Sequence, residues 1–193
     1  MQTKINFFHN YLKIKHLKMK IILLGYMGSG KSTLGKILAE RRNLPFIDLD
    51  SYIESKENKE IKEIFKEKGE IYFRKLEHDY LKNLLQSETD FVLALGGGTP
   101  CFGNNMNLIL EHSPYVFYLR YSPKKLAERL KCEKRNRPLI ADIDDENLED
   151  FIRKHIFERN MFYNQAHFII ASDNFSIDES LAQIEMNIIG KSQ

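Results

Sequence analysis

Apolar residues arrive along this chain in short continuous runs, at Lys20–Leu24, Pro45–Leu49, Phe91–Leu95, Tyr115–Leu119 and Phe168–Ala171. A run such as Val92-Leu93-Ala94-Leu95 does not alternate with polar residues, which marks a strand covered on both faces. Between the runs, apolar positions recur at helical spacing, as in Leu34, Ile37 and Leu38. Helix starts are signalled by Ser122 with Pro123 ahead of Leu126 and Leu130, and by the capping box Ser176-Ile177-Asp178-Glu179 ahead of Leu181, Ile184 and Ile188. The alternation of strand and helix predicts βαβ units, an α/β fold with a parallel sheet between two layers of helices. Residues 61–85 read as two helices, or one interrupted at Gly69, with Phe73, Leu76, Tyr80 and Leu84 as a core stripe.

A chain of 193 residues with 42% hydrophobic and 29% charged residues fits one soluble domain, placed here at 19–193. Lys and Arg total 29 against 27 acidic residues, and a net charge of +2 argues for neither nucleic acid nor membrane as a partner. Cys101 and Cys132 lie far apart without C-x-x-C spacing, which predicts free thiols in a reducing, cytoplasmic setting. No apolar run approaches the roughly 18 residues of a membrane span, and no exposed apolar stripe stands out, so a monomer is expected. Residues 1–18 are polar and basic with scattered aromatics and precede Met19, which opens the first strand. They are expected to be a dispensable extension, with a basic targeting helix as the alternative. Residues 131–147 change from a basic to an acidic run without apolar periodicity, the signature of a mobile lid.

The chemistry concentrates at Gly25-Tyr26-Met27-Gly28-Ser29-Gly30-Lys31-Ser32, set between the first strand and a helix. Glycines let the backbone wrap a phosphate, consecutive N–H groups and the helix N-terminus face the anion, and Lys31 reaches the β- and γ-phosphates. Ser32 offers a hydroxyl to Mg²⁺. A plain Gly-rich turn explains the glycines but not the Lys-Ser pair. At the end of the second strand, Asp48 and Asp50 are expected on one side by strand alternation, with Asp48 on Mg²⁺ and Asp50 accepting a substrate hydroxyl proton. Capping of a helix over 51–57 is the competing role. Gly96-Gly97-Gly98 follows the third strand, where a ligand crevice or a flexible turn is equally served. Arg74 and Arg159, taken singly, read as surface cations, Arg74 pairing with Glu70 or Glu77. Arg137, inside the lid, is placed to fold over a transferring phosphate. The six histidines share no metal-ligand spacing.

Taken together, Gly25–Thr33, Asp48-Leu49-Asp50, Phe73-Arg74-Lys75-Leu76-Glu77, Gly96-Gly97-Gly98-Thr99, Arg137-Pro138-Leu139-Ile140, and Arg159 with Tyr163 and Ala166 resemble the shikimate kinases, small P-loop enzymes related to the nucleoside monophosphate kinases. The resemblance implies a five-stranded parallel sheet of order 2-3-1-4-5 and transfer of the ATP γ-phosphoryl group to the 3-hydroxyl of shikimate. It implies ATP at Gly28, Ser29, Gly30, Lys31, Ser32, Thr33 and Arg137, with Mg²⁺ at Ser32 and Asp48. Shikimate falls to Asp50, Arg74, Gly96, Gly97, Gly98 and Arg159, and catalysis to Lys31, Asp50 and Arg137. Two departures stand out: Arg129, Leu130 and Lys131 leave open which residue packs on adenine, and the loop Ser172-Asp173-Asn174-Phe175 lacks the proline of the family. Phosphorylation of another small hydroxy acid such as gluconate, or of a nucleotide, and a non-catalytic ligand sensor are the alternatives.

Overall fold

A computed structural model describes residues 19–134, 137 and 139–191; the N-terminal extension and Pro138 of the lid motif lie outside the described residues. Five parallel strands, β1 (Lys20–Leu24), β2 (Phe46–Asp48), β3 (Phe91–Ala94), β4 (Tyr115–Arg120) and β5 (Phe168–Ala171), form one sheet of order β2-β3-β1-β4-β5. That is the expected order. Ile22 of β1 sits in register with Leu93 on one side and Val116 on the other.

The helices are α1 (Lys31–Arg42), α2 (Leu49–Glu57), α3 (Ile61–Gln86), α4 (Asn105–His112), α5 (Pro123–Lys131), α6 (Leu148–Tyr163) and α7 (Ile177–Lys191), with a short 3₁₀ turn at Thr99–Cys101. Alternate strand residues feed two cores. Ile21, Leu23, Phe117 and Ile170 pack under α1 and α7, whereas Ile22, Leu24, Leu93 and Tyr118 pack under α2, α3 and α4. A third, smaller core ties α5 to α6 through Leu126, Leu130, Leu148 and Ile152, and Tyr26 and Ile140 insert into it.

The anticipated caps are present. Ser122 Oγ accepts from the Lys125 N–H at 3.3 Å with Pro123 in the first turn. Ser176 and Glu179 exchange side-chain and backbone bonds of 3.2 and 2.7 Å. At Gly69, α3 is kinked with φ 79° and ψ 171°, so two helical segments meet there. The buried stripe of the second segment differs from the sequence expectation: it runs through Phe73, Glu77, Leu81, Leu84 and Leu85, while Leu76 and Tyr80 are half-buried. A carboxylate thus occupies a core position of the helix.

No side chain can take the Gly69 backbone conformation without strain. Gly69→Ala is expected to lower unfolding free energy by about 1–3 kcal/mol, read as a lower urea midpoint at unchanged m-value.

Candidate active site

The phosphate loop joins the carboxyl end of the central strand to α1. Gly28 and Gly30 hold positive φ of 76° and 84°, and Gly30 stands immediately before the first helical turn. With no side chain at Gly30 to occupy the helix end, the amides of the first turn face an open cavity of about 450 Å³. Met27, Gly28, Gly30, Lys31, Ser32 and Thr33 line it, opposite Asp48, Asp50 and Arg137. Ser29 does not line it; its buried side chain lies inside the loop, with Oγ 3.5 Å from Lys31 Nζ. The ammonium of Lys31 donates to the carbonyls of Gly25 and Tyr26 at 2.9 Å each. Burial pushes Lys31 down to about 8, with Asp50 and Asp48 acting the other way. A site that penalises its own cation in this way is suited to an anion.

Asp48 and Asp50 do share one side, but not through strand alternation. The strand ends at Asp48, and Asp50 belongs to the first turn of α2. Of the roles considered for Asp48, the helix cap is present, and its second oxygen is bonded to Ser32. Its Oδ1 caps α2 by accepting from the Ser51 N–H at 3.4 Å, and its Oδ2 accepts from Ser32 Oγ at 2.6 Å. Burial, reinforced by the negative charges of Glu77 and Asp48, raises Asp50 to about 6.

Beyond Asp50 lies a second cavity of about 300 Å³, lined by Arg74, Arg159, Gly98, Phe73, Glu77 and Leu139 among others. Met27, Asp50, Gly96, Gly97 and Arg137 belong to both cavities and form their junction. Gly96 and Gly98 are required by space rather than by backbone shape, whereas a Cβ on Gly97 would make only ordinary contacts. A Cβ on Gly96 would stand 2.9 Å from Asp50 Oδ1 and 3.2 Å from Glu77 Oε1, and one on Gly98 would stand 2.9 Å from both Nη atoms of Arg74. A Cβ on Gly97 would lie 3.6 Å from Arg159 Nη1.

Arg74 does pair with Glu70 and Glu77, at 3.3 and 3.2 Å, yet it is not a surface cation: its side chain is 20% exposed and faces the second cavity. Arg137 pairs with Glu133 at 2.6 Å while lining both cavities, and Ile140, three residues on, anchors the lid segment in the α5–α6 core. Of the three residues considered for adenine, Arg129 lines the phosphate cavity, donating to Gly28 O at 3.3 Å with its guanidinium 4.2 Å from the Tyr121 ring centre. Leu130 is buried in the core and Lys131 is exposed. Asp173, Asn174 and Phe175 line a separate cavity with Tyr118 and Asn160.

Sequence reasoning missed Glu77 as a site residue. It is buried, accepts from Thr99 Oγ1 at 2.5 Å and from Arg74 Nη1 at 3.2 Å, and burial raises its carboxyl pKa. The available signal was its place four residues after Phe73 and four before Leu81, an acid on the apolar stripe. Tyr163 was quoted only as part of a motif; its hydroxyl donates to Gly97 O at 2.5 Å and so holds the glycine run. Among the described residues no group of three or more His, Cys, Asp or Glu is placed to hold a metal, and no helix is long and apolar enough to cross a membrane.

A phosphate loop at the central strand of a 2-3-1-4-5 sheet, opening onto a second pocket with paired arginines, defines a P-loop small-molecule phosphotransferase. The family model for shikimate kinase matches residues 27–188. The shikimate kinase of Flavobacterium johnsoniae is 48% identical over 165 residues, covering 86% of this chain and 96% of that protein. The crystal structure of the Bacteroides thetaiotaomicron shikimate kinase superposes with a TM-score of 0.81 at 38% identity, covering 89% of this chain and 98% of that one. The Acinetobacter baumannii enzyme in complex with shikimate gives 0.80 at 31% identity, covering 90% and 94%. The chain belongs to the shikimate kinase family.

The raised pKa of Asp50 carries a sign for stability. The folded state holds the proton more tightly than the unfolded one, whose pKa is near 3.8, so this group's contribution is greatest below that value and is lost as pH rises through about 6. Asp50→Asn is therefore expected to stabilise the fold at pH 7.5 by about 1–3 kcal/mol, a gain that vanishes below about pH 4, while turnover collapses. Thermal unfolding across pH beside initial rates checks both.

Proposed function

We propose that this protein transfers the γ-phosphoryl group of MgATP to the 3-hydroxyl of shikimate, giving shikimate 3-phosphate and ADP. The observation that carries the reading is the junction: one cavity offers a phosphate cradle, the other two guanidinium groups, and Asp50 and Arg137 stand between them. In-line transfer needs this arrangement, an anion held on each side of a short gap.

The first cavity holds the triphosphate through the amides of Gly28–Thr33 and through Lys31, whose ammonium leaves the loop carbonyls for the phosphate oxygens. Ser32 and Asp48 fit Mg²⁺: a hydroxyl and a carboxylate 2.6 Å apart at the cavity wall are hard oxygen donors, and Mg²⁺ takes one or two such groups alongside phosphate and water. When bound, the ion neutralises charge developing on the β- and γ-oxygens. Arg129 packs on the adenine. In the second cavity Arg74 and Arg159 hold the shikimate carboxylate by charge-assisted bonds, and Gly96–Gly98 admit the ring close to the backbone. Asp50 orients the attacking hydroxyl; with its pKa near 6 it is ionised at neutral pH yet basic enough to take the proton late in transfer. Arg137 exchanges Glu133 for the moving phosphoryl group.

The free Cys101 and Cys132 suit a reducing cytoplasm, and the protein is taken to act as a monomer. Residues 19–193 are the catalytic domain, with 131–147 as its lid, and removal of residues 1–18 is expected to leave specific activity within about twofold.

ADP release with MgATP and shikimate, run beside gluconate, quinate and nucleoside monophosphates, tests the reading. Release is expected with shikimate alone. Arg74→Ala is expected to lower kcat/KM for shikimate by about 10–150-fold, the loss of one charge-assisted contact of about 1.5–3 kcal/mol. Release with another acceptor instead overturns the pocket assignment, and ATP binding without any turnover favours a sensor.

A further inference from the structure

The two guanidinium groups of the second cavity are held by different means. Arg74 is gripped by Glu70 and Glu77. Arg159, among the described residues, makes no ion pair; its guanidinium carbon lies 5.4 Å from the ring centre of Tyr26, and it also meets the hydroxyl of Tyr163, four residues further along α6. A long cation without a carboxylate partner has many rotamers open to it, and each must be given up when it meets an anion. The Tyr26 ring, beside the Tyr163 hydroxyl, is therefore a feature that restricts it.

Tyr26 is the second residue of the phosphate loop, and its ring is 1% exposed within the α5–α6 core. Its hydroxyl is hydrogen-bonded to Nδ1 of His155 at 3.1 Å. His155 lies one helical turn before Arg159, so the two project from the same side of α6. The imidazole is itself seated against Phe151, with ring centres 4.1 Å apart. The loop, the imidazole and the guanidinium form one connected unit.

We infer that Tyr26 and His155 are positioning residues for the carboxylate clamp: their hydrogen bond fixes the Tyr26 ring as the surface on which Arg159 rests, aimed at the acid substrate. The inference rests on the reading that Arg159 meets the shikimate carboxylate. Chemistry on both partners supports it. Burial pushes the Tyr26 hydroxyl up to about 12, so it stays protonated and the ring remains a neutral, electron-rich face for a cation. Burial first, and Arg159 second, lower the pKa of His155, while Glu158 opposes them. A neutral imidazole leaves one ring nitrogen free to accept the hydroxyl proton and adds no second cation beside Arg159. Anchoring the clamp to the nucleotide loop also ties the geometry of the acid pocket to that of the ATP cradle, through a contact at neither ligand.

The test is steady-state kinetics of the full chain with shikimate and MgATP varied in turn, for Tyr26→Phe, His155→Leu, the double variant and His155→Asn, whose amide can replace Nδ1. Expected are a rise of about 3–10-fold in KM for shikimate in both single variants, the range of a weakened cation–π contact, exceeding any fall in kcat. KM for MgATP is expected to move less than twofold. The double variant should match the larger single effect, because both remove the same bond, and His155→Asn should return KM for shikimate to within twofold of the parent. A change below twofold in both single variants overturns the inference, as do equal rises in the two KM values or additive effects in the double variant. If His155→Leu does not fold, Tyr26→Phe, which removes one oxygen and keeps the ring, decides alone. Failure of the parent to turn over shikimate counts instead against the proposed function.

Discussion

The structure depends on keeping like charges close together at the junction of its two cavities. Asp50 and Glu77 both come within 3.2 Å of the position that a Gly96 Cβ would take, and the charge of Glu77 raises the cost of ionising Asp50. Two carboxylates cannot share such a site without compensation. Glu77 has Arg74 and the Thr99 hydroxyl; Asp50 has the field of Lys31. The cation that neutralises Glu77 is also the one turned toward the second cavity, and the cation that steadies Asp50 is the phosphate lysine. Stabilising the acids and assembling the site are therefore the same act, and neither cation can be removed without stranding a buried charge.

This constraint explains the rest of the junction. The glycine run at the end of β3 makes room for the four charged groups that converge on it, since a methyl at Gly96 or Gly98 would collide with a carboxylate or a guanidinium. The 3₁₀ turn at Thr99–Cys101 presents the Thr99 hydroxyl to Glu77, and Asn105 Nδ2 steadies that turn by donating to Thr99 O at 2.8 Å. His78, beside Glu77 on α3, reaches Asn105 with a 2.6 Å bond. A polar chain thus runs from the half-buried face of α3 to the cavity wall, each member satisfied by the next.

How much of this could be read in advance follows from what each signal measures. Apolar runs report strand burial, complete in β1 and β3, nearly so in β4 and partial at the edges β2 and β5, so all five strands were legible to within a residue or two. The phosphate loop was legible because its function lies in its backbone and first helical turn, which are contiguous in sequence. The order of the strands came with the family resemblance; periodicity alone does not encode which strand lies beside which. Arg74 and Glu77 illustrate the harder case. An Arg and a Glu three residues apart on a helix form a surface pair in most proteins, and the same spacing becomes a buried clamp only when Gly96–Gly98 close over it from a distant strand. Asp48 and Asp50 were brought together correctly but for the wrong reason, because the boundary between β2 and α2 falls between them and a helical turn takes the place of strand alternation.

Helix α6 shows why such a site is held by few elements. Its first turn packs into the small core that anchors Ile140, its middle carries His155 against the phosphate loop and Arg159 into the second cavity, and its last turn places the Tyr163 hydroxyl on the Gly97 carbonyl. One helix therefore touches the Ile140 segment, the phosphate loop, the second cavity and the glycine junction. Sub-ångström errors in the relative placement of two anions are costly in phosphoryl transfer, where the enzyme contributes mainly position and charge. Mounting four of the parts on one helix lets them shift together rather than independently, and the relative geometry survives motions that would misalign parts carried on separate loops.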